Sequence, residues 1–513
     1  MTDGGRLRDR RLVVVSNRLP IVLSRAEGGE WQLERSSGGL VTALEPLLRD
    51  RGGLWIGWPG VDEDHFAGFE GLLERFAIEE GYGIVPLALS ERDRNDFYLG
   101  FSNSVIWPLF HDLQERCDFD PRYWDAYRRV NRKFARVVAA NAREGDLLWV
   151  QDYQLMAVAE ELRYLGLNER VGFFLHVPFS DPDIFWRLPW RSELLRSLLQ
   201  FDLIGFQSAQ DRDNFAECII RMDMGAQVEA RFDRIILPNG RRVDTGVFPV
   251  SIDFDEFAQG VDRRSVGARV EEIRQASGNA QIILGVDRLD YSKGLAQKLL
   301  GFRMALERNP ELLGRVTLIQ LVVPSREDIT EYNEMKEEVE RLVGSIHGEF
   351  ATHDWSPIRY IYGSWDRDEL LAHYRTARVA LVTPLKDGMN LVAKEYAVAG
   401  PDDGVLILSE FAGAAAQMSD HALLVNPFDV EGVAETIRRA ANMESADRSR
   451  RMHALRDGVR REDIHWWLAS YLRSFEHSLE ASQPRTAGSP PPSASRYERR
   501  RRERRRYWYS AEA

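Results

Sequence analysis

Val286-Asp287-Arg288-Leu289-Asp290-Tyr291-Ser292-Lys293-Gly294, read beside Leu385-Lys386-Asp387-Gly388-Met389-Asn390-Leu391-Val392-Ala393-Lys394-Glu395, decides the fold. Each stretch follows a short β-branched apolar run and opens a helical pattern. That is the strand-to-helix turn at which α/β proteins hold phosphorylated ligands. The first stretch brings two cations, Arg288 and Lys293. The second brings a turn at Asp387-Gly388, a helix beginning over Met389 to Leu391, and Glu395 one turn inside it. Free N–H groups at a helix start favour anions. The fork of an Arg beside the compact charge of a Lys suits adjacent phosphates, and a carboxylate one turn deeper suits the two hydroxyls of a ribose. Together they describe a pocket for a nucleoside diphosphate bearing a sugar. Taken singly, each residue admits a plainer reading: Arg288 and Lys293 as ion-pair partners of Asp287 or Asp290, Asp387 as a helix cap, Glu395 as a solvent-facing carboxylate.

Outward from these motifs the same alternation continues. Apolar runs at Gln281–Val286, Arg315–Val323, Ile358–Tyr362, Val379–Val382 and Val405–Leu408 alternate with helical patterns. An earlier series runs through Leu12–Val15, Leu147–Val150, Val171–Leu175 and Leu203–Phe206, with helical patterns at Leu155–Leu165 and Ser192–Leu199. Alternation of this kind implies α/β architecture, parallel sheets covered by helices. Two doubly wound Rossmann-like domains are expected to face each other across a cleft: 11–249, and 250–457 with the nucleotide motifs. A helix over 458–480, rich in Trp466, Trp467, Leu468, Tyr471, Leu472 and Phe475, is expected to return to the first domain. The remainder, 481–513, reads as a disordered Pro/Ser- and Arg-rich tail, with eight Arg and two Glu between Arg496 and Arg506.

A length of 513 residues exceeds one hydrophobic core, and 44% hydrophobic with 29% charged residues fits a folded globular chain. No apolar run approaches the roughly 18 residues of a membrane span. The two cysteines, Cys117 and Cys218, form no C-x-x-C pair, which argues for a reducing cytoplasm. A formal charge of −12 disfavours general nucleic-acid binding by the body.

Further stretches stand in order along the chain: Ser16-Asn17-Arg18, Ser37-Gly38-Gly39-Leu40, Gly53-Leu54-Trp55-Ile56-Gly57-Trp58, Phe101-Ser102-Asn103-Ser104-Val105-Ile106-Trp107-Pro108, Gln151-Asp152-Tyr153 and Gly172-Phe173-Phe174-Leu175-His176-Val177-Pro178-Phe179. With the two nucleotide motifs, they resemble the trehalose-6-phosphate synthase family from about residue 11 to about 475. The resemblance implies the two-Rossmann GT-B architecture and glucosyl transfer from a nucleotide diphosphate to glucose 6-phosphate, with retention and without a metal or other cofactor. It implies a catalytic group of Arg288, Lys293, His176 and Asp387. The first two would hold the diphosphate, the others hydroxyls of the donor glucose. Gly39, Leu391, Val392 and Glu395 would complete the donor site. Arg18, Tyr98, Trp107, Asp152 and Arg326 would form the acceptor site, with Arg18 and Arg326 on its phosphate. A dimer or tetramer is plausible on the same ground.

Several points stay open at the level of sequence. UDP-, GDP- and ADP-glucose share the diphosphate and ribose contacts. Gln151 and Gln154 stand where many relatives carry His, which bears on donor or acceptor preference. A related transferase with another phosphorylated acceptor, such as glycerol 3-phosphate, and a catalytically silent homologue are the competing readings. The silent homologue fits poorly with the presence of Arg288, Lys293, Asp387 and Glu395.

Overall fold

The computed structural model describes residues 10–25, 30–35, 39–63, 68–325 and 330–480. Arg326 and the Arg-rich tail lie outside the described residues. Two large sheets carry the architecture, of nine and six strands. The six-stranded sheet takes, in chain order, Gln281–Arg288, Val316–Val323, Ile358–Tyr362, Val379–Val382, Val405–Ser409 and Leu423–Val425. Across the sheet they lie in the order 3-2-1-4-5-6, all parallel. The larger sheet repeats this order with Leu12–Arg18, Leu54–Trp58, Gly83–Pro86, Leu147–Gln151, Val171–Phe174 and Leu203–Phe206. It is extended by Arg242–Val247, parallel, and by antiparallel Arg234–Ile236 and Gln227–Val228. This is the doubly wound order, in which the sense of winding reverses between strands 1 and 4 and leaves a crevice at their carboxyl ends.

Strands covered on both faces should read as continuous apolar runs, and these do. Leu12, Val13, Val14 and Val15 are all fully buried. Val13 and Val15 face one core with Ile56, Val150 and Phe173. Leu12 and Val14 face another, shared with Trp149, Phe174 and residues of the second sheet such as Leu284 and Leu408. The helix Ile464–Glu480 belongs to this second core. Its Tyr471 stacks on Trp149 with ring centroids 4.3 Å apart and donates to the Phe173 carbonyl at 3.2 Å. Glycine is required under that ring. A Cβ at Gly172 would stand 2.4 Å from the Tyr471 hydroxyl, and one at Gly205 2.9 Å from its ring edge. The expected return of the C-terminal helix is therefore present, beginning at Ile464.

Three local features depart from the sequence reading. The nucleotide-side helix runs Leu391–Ala399, so Met389 precedes it, and the junction is Asn390 with a left-handed φ of 74°. A hairpin, Ile21–Arg25 with Trp31–Arg35, follows the first strand. The segment Arg94–Ile106 is a 13-residue π-helix.

Candidate active site

Both nucleotide motifs lie at the switch point of the six-stranded sheet. Arg288 ends its strand 1, and the Asp387 turn follows its strand 4. The Asp290 side chain accepts from the Ser292 N–H at 3.0 Å and caps the turn Tyr291–Lys293. Gly294 then opens the next helix at φ 63°, where a Cβ would meet the Thr383 carbonyl at 2.9 Å. That close approach docks one motif on the other: the Leu385 N–H donates to the Ser292 carbonyl at 2.7 Å.

The plainer reading, Lys293 paired with Asp287 or Asp290, is not what the structure shows. Asp287 is taken by Lys298, with both side chains 1% exposed, and by Gln320 at 2.9 Å. Lys293 instead reaches Asp387 Oδ2 at 2.5 Å, and Asn390 donates to the same oxygen at 3.0 Å. Burial opposes ionisation of Asp387, but Lys293, His111 and Asn390 outweigh it and hold the carboxyl below its ordinary value. Glu395 lies one turn into the helix that begins at Leu391 and Val392. It accepts from the Tyr374 hydroxyl at 2.7 Å, and burial pushes its carboxyl up.

The second group sits at the switch point of the larger sheet. Arg18 ends strand 1, and Asp152 follows strand 4. The Arg18 guanidinium lies 3.9 Å over the Trp58 ring, whose indole N–H is tied to the Val61 carbonyl at 2.8 Å. Its pKa is lowered, first by desolvation, with Tyr98 acting in the opposite sense and Arg94 in the same sense. Tyr98 and Arg94 both come from the π-helix. Such wide turns recur at functional sites, and this one runs directly into Trp107, whose N–H donates to the Ser102 carbonyl. Gly39 opens the helix Gly39–Arg51.

Asp152 has a φ of 71°, a backbone region that costs a non-glycine residue energy and that surrounding contacts must hold. Its Oδ1 accepts from the His176 N–H at 3.1 Å, and its own N–H donates to the Phe174 carbonyl at 2.8 Å. Burial pushes its carboxyl up to about 6, against the backbone N–H groups of Tyr153, His176 and Val177 and the charge of Arg288. Burial likewise depresses the His176 imidazole to about 3, so the ring is neutral. Its Nε2 meets Gln151 Oε1 at 3.0 Å. A carbonyl oxygen only accepts, so Nε2 carries the proton and Nδ1 is left as an acceptor.

The two groups meet. The Trp107 indole N–H donates to Asp290 Oδ1 at 3.4 Å, and the Arg288 guanidinium lies 5.8 Å over the same indole. His111 packs on Trp107 with ring centroids 4.3 Å apart, and its ionisation responds to Asp290, Asp387 and Lys293. Gly388 touches the backbone of His176: a Cβ there would be 2.2 Å from the His176 carbonyl. Of the residues singled out from sequence, Trp107 and Asp152 thus meet Arg288, and His176 meets the Asp387 turn at Gly388, while Arg18 and Tyr98 lie beside each other in the first half.

Lys394 was missed as a residue of interest. It is 2% exposed and donates to the Val250 carbonyl at 2.8 Å and to Gln417 Oε1 at 2.7 Å. It therefore ties the Leu391–Ala399 helix to the segment joining the two sheets. The available signal was a lone cation inside an apolar helix. His111 was also missed, although it stands four residues after Trp107, the spacing at which helical side chains meet. Among the described residues, no group of three or more His, Cys, Asp or Glu is placed to hold a metal ion.

The model of glycosyltransferase family 20 matches residues 10–477. The trehalose-6-phosphate synthase of Mycobacterium sp. (strain JLS) is 44% identical over 473 residues, covering 90% of this chain and 96% of that one. An α,α-trehalose-phosphate synthase (UDP-forming) from Burkholderia xenovorans, in complex with glucose-6-phosphate, superposes with a TM-score of 0.80 at 34% identity. It covers 91% of this chain and 100% of its own. The E. coli counterpart bound with UDP-2-fluoro glucose gives 0.82 at 34% identity, covering 91% and 99%. With two doubly wound sheets closing on one site and a match along nearly the whole described length, this chain belongs to glycosyltransferase family 20.

Proposed function

We propose that this chain transfers glucose from a nucleoside diphosphate glucose, UDP-glucose by preference, to glucose 6-phosphate, giving α,α-trehalose 6-phosphate with retention of configuration. The observation that carries this reading is the Lys293–Asp387 pair at one switch point, closed by Arg288 against Trp107 and Asp152 at the other. The Burkholderia neighbour binds glucose-6-phosphate and the E. coli neighbour a UDP-glucose analogue, which supports the same two substrates here. In this reading residues 11–249 hold the acceptor and 250–457 the donor.

The chemistry follows from where charge develops. As the bond between the anomeric carbon and the diphosphate breaks, negative charge builds on the departing phosphate. Lys293, Arg288 and the N–H groups of Leu391 and Val392 neutralise it, in a site already organised around charge. Positive protein groups meet this demand, so the reaction is proposed to need no metal. Asp387 and His176 hold donor hydroxyls, His176 through its bare Nδ1. An imidazole held near 3 is too weak a base to take a proton at neutral pH. The acceptor hydroxyl proton therefore passes to the departing phosphate oxygen as the new bond forms on the same face. Asp152 is the other candidate for direct chemistry. Its carboxylate is engaged by three backbone N–H groups, which suits a fixed acceptor of sugar hydroxyl bonds better than a nucleophile. Glu395 takes the ribose, and Arg18, fixed on Trp58, takes the acceptor phosphate with Arg326. With Cys117 and Cys218 both free, the reaction is proposed for the cytoplasm.

The test is to incubate the protein with glucose 6-phosphate and, separately, UDP-, GDP- and ADP-glucose in the presence of EDTA, and to identify products by mass and NMR. A non-reducing α,α-linked disaccharide phosphate is expected, fastest with the uridine donor. Nucleotide release dependent on a different phosphorylated acceptor would overturn the acceptor assignment, and no turnover with any donor would overturn the enzyme assignment.

A further inference from the structure

Asp387 is preceded by Lys386, whose side chain reaches across to the other half of the molecule. Its Nζ pairs with Asp112 Oδ2 of the other half, the two side chains being 19% and 36% exposed. Asp112 sits just past the short helix Trp107–Phe110, next to His111, with a left-handed φ of 59°. Other carboxylates of the same half stand close by. Asp211 feels the charge of Lys386, and Asp112 that of Asp181. Asp211 is fixed by the Phe179 N–H at 2.8 Å and the Ser208 hydroxyl at 2.5 Å. One cation of the donor half thus enters an acidic socket of the acceptor half. Each end of the pair is one residue from the site: Lys386 from Asp387, Asp112 from His111, which packs on Trp107.

We propose that Lys386, docked on Asp112 beside Asp181 and Asp211, is a positioning residue that clasps the two halves together, seats Asp387 on the donor sugar and keeps water from the donor while the acceptor reacts. The charges are complementary and come from opposite sides of the cleft. The Lys386 backbone is itself anchored to the Ser292 carbonyl at 3.4 Å, so a pull on its side chain is transmitted to the turn that carries Lys293 and Asp387. Burial also holds the Asp112 carboxyl above its ordinary value, the direction in which acid would release the clasp.

The inference deepens the glucosyltransferase reading and rests on it, so wild-type disaccharide phosphate formation is established first. Then Lys386→Asp, Asp112→Lys and the double exchange are compared for disaccharide phosphate formed against nucleoside diphosphate released. Each single change is expected to lower transfer by about ten-fold or more, the scale of a lost charge-assisted hydrogen bond left with like charges. It should also raise the share of donor lost to hydrolysis, and the double exchange should restore most of both. Raising the salt concentration should mimic the single changes mildly in the wild type. Should a charge reversal fail to fold, Lys386→Met and Asp112→Asn, of similar shape, are read in the same way. Unchanged transfer and hydrolysis in folded variants would overturn the clasp. Loss without rescue in the exchange, at unaltered salt response, would do the same. A wild type that makes no disaccharide phosphate would instead overturn the underlying function.

Discussion

The donor half of the site is assembled from near neighbours and the acceptor half from distant ones. Lys293, Asp387, Asn390 and the Leu391 helix start belong to two turns of one sheet, linked by the Leu385–Ser292 hydrogen bond. Arg18, Tyr98, Trp107, Asp152 and His176 come from strand ends, a π-helix and its continuation, and a strained loop residue, with Asp152 and His176 joined by a hydrogen bond and Arg18 held on Trp58. In the donor half Lys293 and Asn390 already share one carboxylate oxygen of Asp387. The acceptor half keeps a buried carboxylate raised towards neutrality and an imidazole that cannot charge. Substitutions on the two sides should fail in different ways.

The largest loss is expected for Lys293→Ala. It removes the cation proposed to meet the leaving phosphate and leaves Asp387 without its ion-pair partner. Turnover at saturating donor should fall roughly 100- to 1,000-fold, the usual cost of removing one preorganised charge stabiliser, with a smaller change in acceptor KM. Unchanged turnover at saturating donor would remove Lys293 from the chemistry.

Asp152→Asn comes next and should part activity from stability. The folded carboxyl titrates at about 6 against an ordinary 3.8, so the folded state binds that proton more tightly than the unfolded chain does. Its contribution to stability is present below the ordinary value and is lost as the pH rises through about 6, because the buried carboxylate must then be charged. Asn removes that cost, so the melting temperature at pH 7.5 should rise by a few degrees. Acceptor kcat/KM should fall about 100-fold, and the wild-type decline on acidification through pH 6 should flatten. A variant that is destabilised at pH 7.5 would contradict the raised carboxyl.

Glu395→Gln is the milder donor-side change. The amide keeps an acceptor for the Tyr374 hydroxyl and loses the charge offered to the ribose. Donor KM should rise about ten-fold, near 1.4 kcal/mol, with turnover little altered. An equal rise in acceptor KM would show that Glu395 acts through the cleft as a whole.

The same contrast explains what was legible in the sequence. Short-range order writes itself into contiguous residues, so Arg288, Lys293, Asp387 and Glu395 could be assigned together, and both strand series foretold the parallel sheets. The Lys293–Asp387 pair itself could not be read, because the two residues stand far apart in the chain and meet only where the two turns dock. On the acceptor side the five residues were named through family resemblance. The π-helix that presents Tyr98 carries no amphipathic period to betray it. Lys394 acts through a carbonyl that only the closed fold brings near, whereas His111 packs on the indole of Trp107, four residues earlier in the chain. Arg326, expected on the acceptor phosphate, lies outside the described residues.

The smallest effect probes the acceptor side most finely. Gln151 accepts the Nε2–H of His176, and that bond leaves Nδ1 free for a donor hydroxyl. Burial keeps the ring near 3, so wild-type donor kcat/KM should show no His176 titration between pH 5 and 8. Gln151→Glu places a carboxylate on the same N–H and favours the imidazolium, raising the ring's pKa. At pH 8 the ring remains neutral in the variant and activity should stay within about three-fold of wild type, since an accepting oxygen is retained. On acidification Nδ1 takes a proton, ceases to accept, and donor kcat/KM should fall earlier and more steeply than in the wild type. Asp152 titrates in both proteins and the introduced Glu in the variant alone, so the His176 ring is followed by NMR beside the two pH profiles to assign the difference. Superimposable profiles would mean that Nδ1 makes no bond to the sugar, and the role of His176 would then rest on its backbone contact with Gly388 alone.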